Sequence, residues 1–202
     1  VTAQLGCTTD TDDADGQVLH QRAIGVYSKQ QIEQLLEDFV GEIQQVPPIY
    51  SALKQGGEPM YVKARRGDVI DLPARTVHIH SISLNKLNAD TLELSVVCGT
   101  GTYIRSLVRD LGERLGCGAH VTELRRTWVQ PFQSETLWTI EQLEALAEQG
   151  TEALDAVLMP VEVALSGIQK LIVDDEQARK IGMGQKITVS NMNEAVELIQ
   201  LC

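Results

Sequence analysis

Alternating apolar and polar residues predict strands in four segments of the first hundred residues. These segments are 1–5, 18–20, 76–87 and 91–97. The last two flank Asn88-Ala-Asp90, and turn residues between two alternating runs are typical of an antiparallel hairpin. A further run at 121–129 predicts a strand that carries Arg125 and Arg126.

Apolar residues at helical spacing predict three helices. Ser28-Lys-Gln-Gln31 has the form of a capping box and precedes an apolar face over 32–40. The face from Ile104 to Leu115 is followed by Gly116 as a stop, and Thr139 caps a helix over 139–148. Because these helices stand beside hairpin strands instead of alternating with them, the pattern predicts an α+β fold with a mixed or antiparallel sheet.

The pattern changes after Met159-Pro160. Short strands at 171–173 and 186–189 enclose a short helix at 175–180 and a glycine turn. We therefore predict two domains, with residues 1–159 forming the main domain and residues 160–202 forming part of a small second module.

Composition narrows the class of protein. The chain of 202 residues has a net charge of −11, yet the segment 54–126 has eleven Lys or Arg against eight Asp or Glu. Since local basic patches drive phosphate binding, a polyanionic partner stays possible. The four cysteines fit no metal or redox spacing, and His78 and His80 have no evident third ligand, so no metal site is predicted. No apolar run is long enough for a membrane span.

The stretch CGTGTYIRSLVRDL, residues 98–111, holds the strongest candidate chemistry. Its glycine turn places Tyr103 beside the start of a helix, with Arg105 two residues later. A tyrosine ring can stack on a base, and a guanidinium can bind a carboxylate in bidentate fashion. The alternative from spacing alone is a core tyrosine beside a surface arginine. The phosphate loops GxxxxGK and GxGxxG are absent.

Three segments, in order along the chain, resemble the tRNA pseudouridine synthase B (TruB) family in its stand-alone bacterial form. They are LGCTTDTDDADGQV, GEIQQVPPIYSALKQGGEPMYVKARRG and GTYIRSLVRDLGERLGCGAHVTELRR. The resemblance implies a pseudouridine synthase-like catalytic domain in residues 1–159. It also implies an RNA-binding module of PUA-like type in residues 160–202, whose likeness to the family is weaker.

The resemblance implies that a uridine in the TΨC loop of tRNA, position 55, is flipped into a pocket and isomerised to pseudouridine. Tyr103 matches the tyrosine that packs on the flipped base, and Arg105 matches the arginine that pairs with the catalytic aspartate. Leu124 matches the apolar residue that closes the base pocket. The candidates for RNA phosphate contacts are Lys54, Arg65, Arg125 and Arg126.

The family's nucleophilic aspartate lies in a Leu-Asp-Pro segment that precedes LGCTTDTDDADGQV, and residues 1–202 contain no match to it. Leu154-Asp155 is followed by Ala156, and the aspartates of the acidic loop 10–15 match a segment that is not catalytic. We expect that loop to be exposed and solvated, and we expect residues 1–202 alone to be inactive. The alternative is a non-catalytic RNA-binding protein that keeps the pocket without the nucleophile.

The resemblance also implies the surroundings of the reaction. It predicts an isomerase that needs no metal, no cofactor and no protein partner, and that acts as a cytoplasmic monomer on the TΨC stem-loop of tRNA without binding a membrane.

Overall fold

The computed structural model describes residues 1–51, 54–55, 58–60, 62, 66, 72–133, 137–187 and 199–201. It divides into two compact units, Val1–Arg125 and Arg126–Cys202. The predicted domain boundary at residue 160 stays a prediction. No helix in these described ranges is long and apolar enough to cross a membrane.

The first unit is built on a sheet of five strands in which every neighbouring pair is antiparallel. The strands of the unit, in chain order, are β1 (Thr2–Leu5), β2 (Cys7–Thr9), β3 (Val18–Gln21), β4 (Gly41–Gln45), β5 (Lys54–Gln55), β6 (Glu58–Pro59), β7 (Arg75–Leu87), β8 (Thr91–Cys98) and β9 (Ala119–Glu123). The sheet order is β4-β7-β8-β1-β9, while β2 pairs with β3 and β5 with β6.

Helices α1 (Lys29–Glu37) and α2 (Ile104–Leu115) lie beside this sheet. Helix α1 begins with the predicted capping box, in which the Ser28 hydroxyl accepts from the Gln31 amide and the Gln31 side chain binds the Ser28 backbone. Helix α2 has the predicted bounds and ends at Gly116, whose φ of 81° lies in the left-handed region that glycine tolerates. Local capping residues therefore set the start of α1 and the end of α2.

The core lies where the sheet meets the apolar faces of both helices. Ala3 on β1 is opposite Leu92 on β8 and Val121 on β9, and all three are buried. Helix α2 contributes Leu107, Val108 and Leu111 to the same cluster, and α1 contributes Ile32 and Leu36. This packing fixes α2 against the sheet. It thereby also fixes the positions of Tyr103 and Arg105, the candidate site residues at the start of the helix.

The second unit contains short elements. They are α3 (Ile140–Gln149), α4 (Thr151–Asp155), α5 (Val161–Ala164), β10 (Gln169–Leu171), α6 (Asp175–Gly182) and β11 (Ile199–Leu201). Strands β10 and β11 pair in parallel, and the predicted Thr139 cap accepts from the Gln142 amide at the start of α3. The predicted strand at 186–189 lies partly outside the described residues.

The predicted hairpin is confirmed as β7 and β8, and the α+β class is confirmed with them. The predicted strand at 121–129 is wrong in its extent. Strand β9 starts at Ala119 and ends at Glu123, so Arg125 and Arg126 follow the strand instead of lying on it. The pairing of β9 with β1 ends where Thr2 lies opposite Glu123.

Candidate active site

Tyr103 lies at the predicted junction between a strand and a helix. After β8, the Gly99 amide donates to the His78 carbonyl at 2.8 Å, and Gly101 turns the chain with a φ of 79°. Tyr103 is the N-cap of α2 with extended backbone angles, and its side chain makes no capping hydrogen bond. The half-buried ring is therefore not used to cap the helix.

Two residues at the ends of neighbouring strands contact Tyr103. Gln45, at the end of β4, exchanges hydrogen bonds with the Tyr103 amide and carbonyl at 2.8 and 3.1 Å. Arg75, at the start of β7, places its guanidinium carbon 5.0 Å from the centre of the Tyr103 ring. The sequence interpretation missed both residues, and no local pattern marks either of them.

Arg105, in the first turn of α2, binds a carboxylate of the acidic loop. Its Nη1 donates to Asp13 Oδ2 and to the Thr11 carbonyl, each at 2.9 Å. Its Nη2 donates to the Tyr50 carbonyl at 2.8 Å. Arg105 thus joins the acidic loop to the segment after Pro47-Pro48, which are far apart in the sequence. Its pairing with a family nucleophile stays a prediction.

Asp13 is held on both carboxylate oxygens. While Oδ2 accepts from Arg105, Oδ1 accepts from the Thr11 hydroxyl at 2.5 Å and from the Asp15 amide at 3.1 Å. The expectation of a solvated acidic loop is therefore wrong at this residue, because the loop folds back on the start of α2 and bonds to it.

A second arginine of α2 meets the neighbouring aspartate. Arg109 donates to Asp12 Oδ2 at 3.0 Å, to Asp110 Oδ1 at 2.9 Å and to the Val46 carbonyl at 2.9 Å. Burial raises the pKa of the Asp12 carboxyl above its ordinary value of 3.8, and the Arg109 charge opposes that rise. Burial also raises the pKa of Asp110. The solvated-loop expectation is wrong at Asp12 too.

Arg105 and Leu124 line one cavity of about 260 Å³. Its other lining residues are Asp13, Ala14, Asp15, Val121 and Thr122. Leu124 is 56% exposed, so its apolar side chain lies at the open mouth of this cavity. Tyr103 is not among the lining residues. The structure thus joins Arg105 and Leu124 in one cavity and leaves Tyr103 outside it.

The four candidates for phosphate contacts have different surroundings. Arg125 and Arg126 are exposed directly after β9, where they are accessible to a polyanion. Lys54 lies on β5, and Arg65 lies outside the described residues. His78 and His80 have ring centres 4.6 Å apart, and the described residues hold no cluster suited to a metal ion.

Comparison with known proteins identifies the family. A model described as TruB family pseudouridylate synthase (N terminal domain) matches residues 1–104, and one described as tRNA pseudouridylate synthase B C-terminal domain matches residues 105–166. The tRNA pseudouridine synthase B of Xanthomonas euvesicatoria pv. vesicatoria is 52% identical over 91% of this chain and 59% of its own length. The chain belongs to the TruB family.

Other relatives agree with this family assignment. The tRNA pseudouridine synthase B of Xylella fastidiosa is 48% identical over 91% of the chain and 60% of the relative. The one from Ectopseudomonas mendocina is 53% identical over 83% of the chain and 54% of the relative. The chain thus spans little more than half the length of these TruB relatives.

Solved structures share the fold. A Cbf5-Nop10-Gar1 complex matches with a TM-score of 0.64 at 26% identity, covering 91% of this chain and 48% of that chain. A structure of an H/ACA RNP bound to a substrate RNA containing 2'-deoxyuridine matches with a TM-score of 0.62 at 23% identity, over 92% and 47% of the two chains. At that identity the second match supports the fold alone.

Proposed function

We propose that the gene product containing this chain isomerises a uridine in the TΨC loop of tRNA, position 55, to pseudouridine. The observation that carries this proposal is the pairing of Arg105 with Asp13 on the wall of a cavity that Leu124 also lines, in a chain of the TruB family. In the isomerisation the glycosidic bond breaks, the base rotates, and a bond forms to its C5 carbon, whose proton leaves.

In this proposal the cavity receives the flipped nucleotide. Leu124 closes its mouth on the base, and Tyr103, which does not line the cavity itself, contacts the base from the start of α2. In the same proposal Tyr103 is the candidate acceptor of the proton that leaves C5. Lys54, Arg65, Arg125 and Arg126 bind RNA phosphates.

Arg105 has hydrogen-bond capacity left for a nucleophile. A guanidinium carries five N–H donors, and the three bonds to Asp13, Thr11 and Tyr50 use only part of them. Among the described residues its remaining donors have no partner, which leaves them for a second carboxylate that the positive charge would keep ionised. We propose that the nucleophilic aspartate of the family's Leu-Asp-Pro segment occupies this position.

The expected setting of the reaction follows from the same family. We propose a cytoplasmic monomer that acts on tRNA without a metal, a cofactor or a protein partner.

A second candidate is a non-catalytic RNA-binding protein. The carboxylate of Asp13, which is already bound to Arg105, favours it. In that case the cavity would bind a nucleotide without cleaving its glycosidic bond.

One experiment separates the two candidates. The full-length gene product is incubated with an unmodified tRNA transcript labelled with tritium at C5 of its uridines, and tritium release and the modified position are measured. The synthase predicts release and pseudouridine in the TΨC loop. Tight binding without release would support the RNA-binding protein, and the absence of both binding and release would reject both candidates.

A further inference from the structure

A buried glutamine bonds to both main-chain polar groups of Tyr103. Gln45 is 0% exposed. Its Oε1 accepts from the Tyr103 amide at 2.8 Å, and its Nε2 donates to the Tyr103 carbonyl at 3.1 Å. The side-chain amide thereby makes the same pair of bonds that a neighbouring β-strand would make with Tyr103.

An arginine contacts the same tyrosine from the next strand. Arg75 is the partner of Gln45 in the β4–β7 register. Its Nη2 donates to the Gly101 carbonyl at 2.8 Å, two residues before Tyr103. Its guanidinium lies over the Tyr103 ring, at a distance suited to a cation–π interaction. One residue of the pair therefore holds the backbone, and the other covers a ring face.

Capping the start of α2 does not by itself require Gln45 and Arg75. Ser, Thr, Asp or Asn at an N-cap satisfies the first amides of a helix with its own side chain. This chain has a tyrosine at that place without a side-chain cap. It also buries a glutamine, which is costly to desolvate unless its amide is bonded. The bonds of Gln45 are directed to Tyr103, whose ring packs on the substrate base in the proposed function.

We propose that Gln45 and Arg75 are positioning residues that orient the Tyr103 ring, leaving the ring face opposite Arg75 for the target uridine. The inference rests on the proposed function, in which Tyr103 packs on that base. Because phosphate contacts supply most of the affinity for RNA, loss of either residue should slow the chemical step more than it weakens tRNA binding.

The activity test compares matched variants of the full-length gene product. Gln45→Met keeps the side-chain volume and removes both bonds, with Gln44→Met as its control. Gln44 is the preceding residue on β4, is exposed, and binds the Thr76 hydroxyl instead. Arg75→Met is paired with Arg114→Met, since Arg114 lies over the Phe39 ring at 5.6 Å.

We expect Gln45→Met and Arg75→Met to lower the single-turnover rate of pseudouridine formation by about tenfold or more, with the tRNA Kd within about twofold. Arg75→Lys should recover part of the rate, because a lysine retains a cation and a donor. The control variants should keep both the rate and the Kd. Equal rates in test and control variants, or a fall in affinity as large as the fall in rate, would overturn the positioning role.

Amide hydrogen exchange tests the hydrogen bonds between Gln45 and Tyr103 without reference to activity. Gln45→Met should make the Tyr103 amide exchange about tenfold faster or more, because its acceptor is lost, while Gln44→Met should leave it protected. Unchanged protection in Gln45→Met would refute the inference. If the unsubstituted protein made no pseudouridine, the proposed function would fail, and the exchange result would still decide whether Gln45 holds Tyr103.

Discussion

Arg109 connects three segments of the first unit, and its replacement by methionine measures what that connection contributes to stability. The guanidinium binds Asp12 on the acidic loop, Asp110 on its own helix and the Val46 carbonyl after β4. Methionine retains much of the apolar stem but has no charge and no donor. The variant therefore leaves two partly buried carboxylates and one carbonyl without this partner.

The magnitude follows from burial. Removing one member of a fully buried ion pair costs about 3–5 kcal/mol. The Asp12 side chain is 12% exposed and that of Arg109 is 25% exposed, so water screens the pair in part. We expect Arg109→Met to lower the free energy of unfolding by about 2–4 kcal/mol at neutral pH.

The pH dependence has a definite sign. Burial already raises the pKa of Asp12 and of Asp110 in the folded protein, and loss of the Arg109 charge should raise both pKa values further. A carboxyl with a raised folded pKa favours folding in its protonated form, and this contribution is lost as the pH rises through the folded pKa. The loss of stability should therefore be smaller at about pH 4.5 than at about pH 7.

The assay is urea denaturation of the full-length gene product, followed by far-UV circular dichroism at both pH values. Urea is uncharged and does not screen the pair. The control is Arg114→Met, at a residue on the same helix as Arg109. It removes an exposed ion pair with Asp38 and should cost no more than about 1 kcal/mol. Two outcomes would refute the reasoning. One is an equal loss of unfolding free energy in the two variants, and the other is a loss in Arg109→Met that is larger at the acidic pH than at the neutral pH.

Three further variants test the site and the fold. Tyr103→Ala should abolish pseudouridine formation and leave the tRNA Kd within about threefold; an equally large loss of binding, measured by filter retention, would contradict the pocket role. Arg105→Lys should lower the single-turnover rate by about tenfold or more, since a point charge cannot replace a planar fork; an unchanged rate would remove the pairing argument. Gly112→Ala should cost about 1–3 kcal/mol in urea denaturation, because the added β-carbon would lie 2.5 Å from that of Ala119. Gly182→Ala is its control, since its added β-carbon meets open space, and equal stability of these two variants would contradict the packing argument.

Features that depend on neighbouring residues could be predicted from the sequence. The alternation over 76–97 predicts β7 and β8, because side chains on successive strand residues point to opposite faces. The run from Ile104 to Leu115 and the glycine after it predict α2 with its bounds. These two predictions together place Tyr103 at the junction. The order of the three motifs along the chain was enough to indicate the TruB family.

Contacts that join distant residues were decided by the tertiary structure. Gln45 bonds to a residue 58 positions away, and Asp13 pairs with an arginine 92 positions away. Asp12 and Asp13 stand in an acidic run that is typical of a solvated loop. Their bonds to Arg109 and Arg105 depend on how that loop lies against α2, which no local pattern records.

These contacts could not be predicted because the identity of a charged or amide residue does not reveal whether its side chain is solvated or bonded to another residue. Local propensity and turn chemistry act within a few residues, so the sequence by itself determined the elements and their ends. Sheet register and helix packing decide which distant side chains meet. In this chain they bring Gln45 and Arg75 to Tyr103, and Asp13 to Arg105.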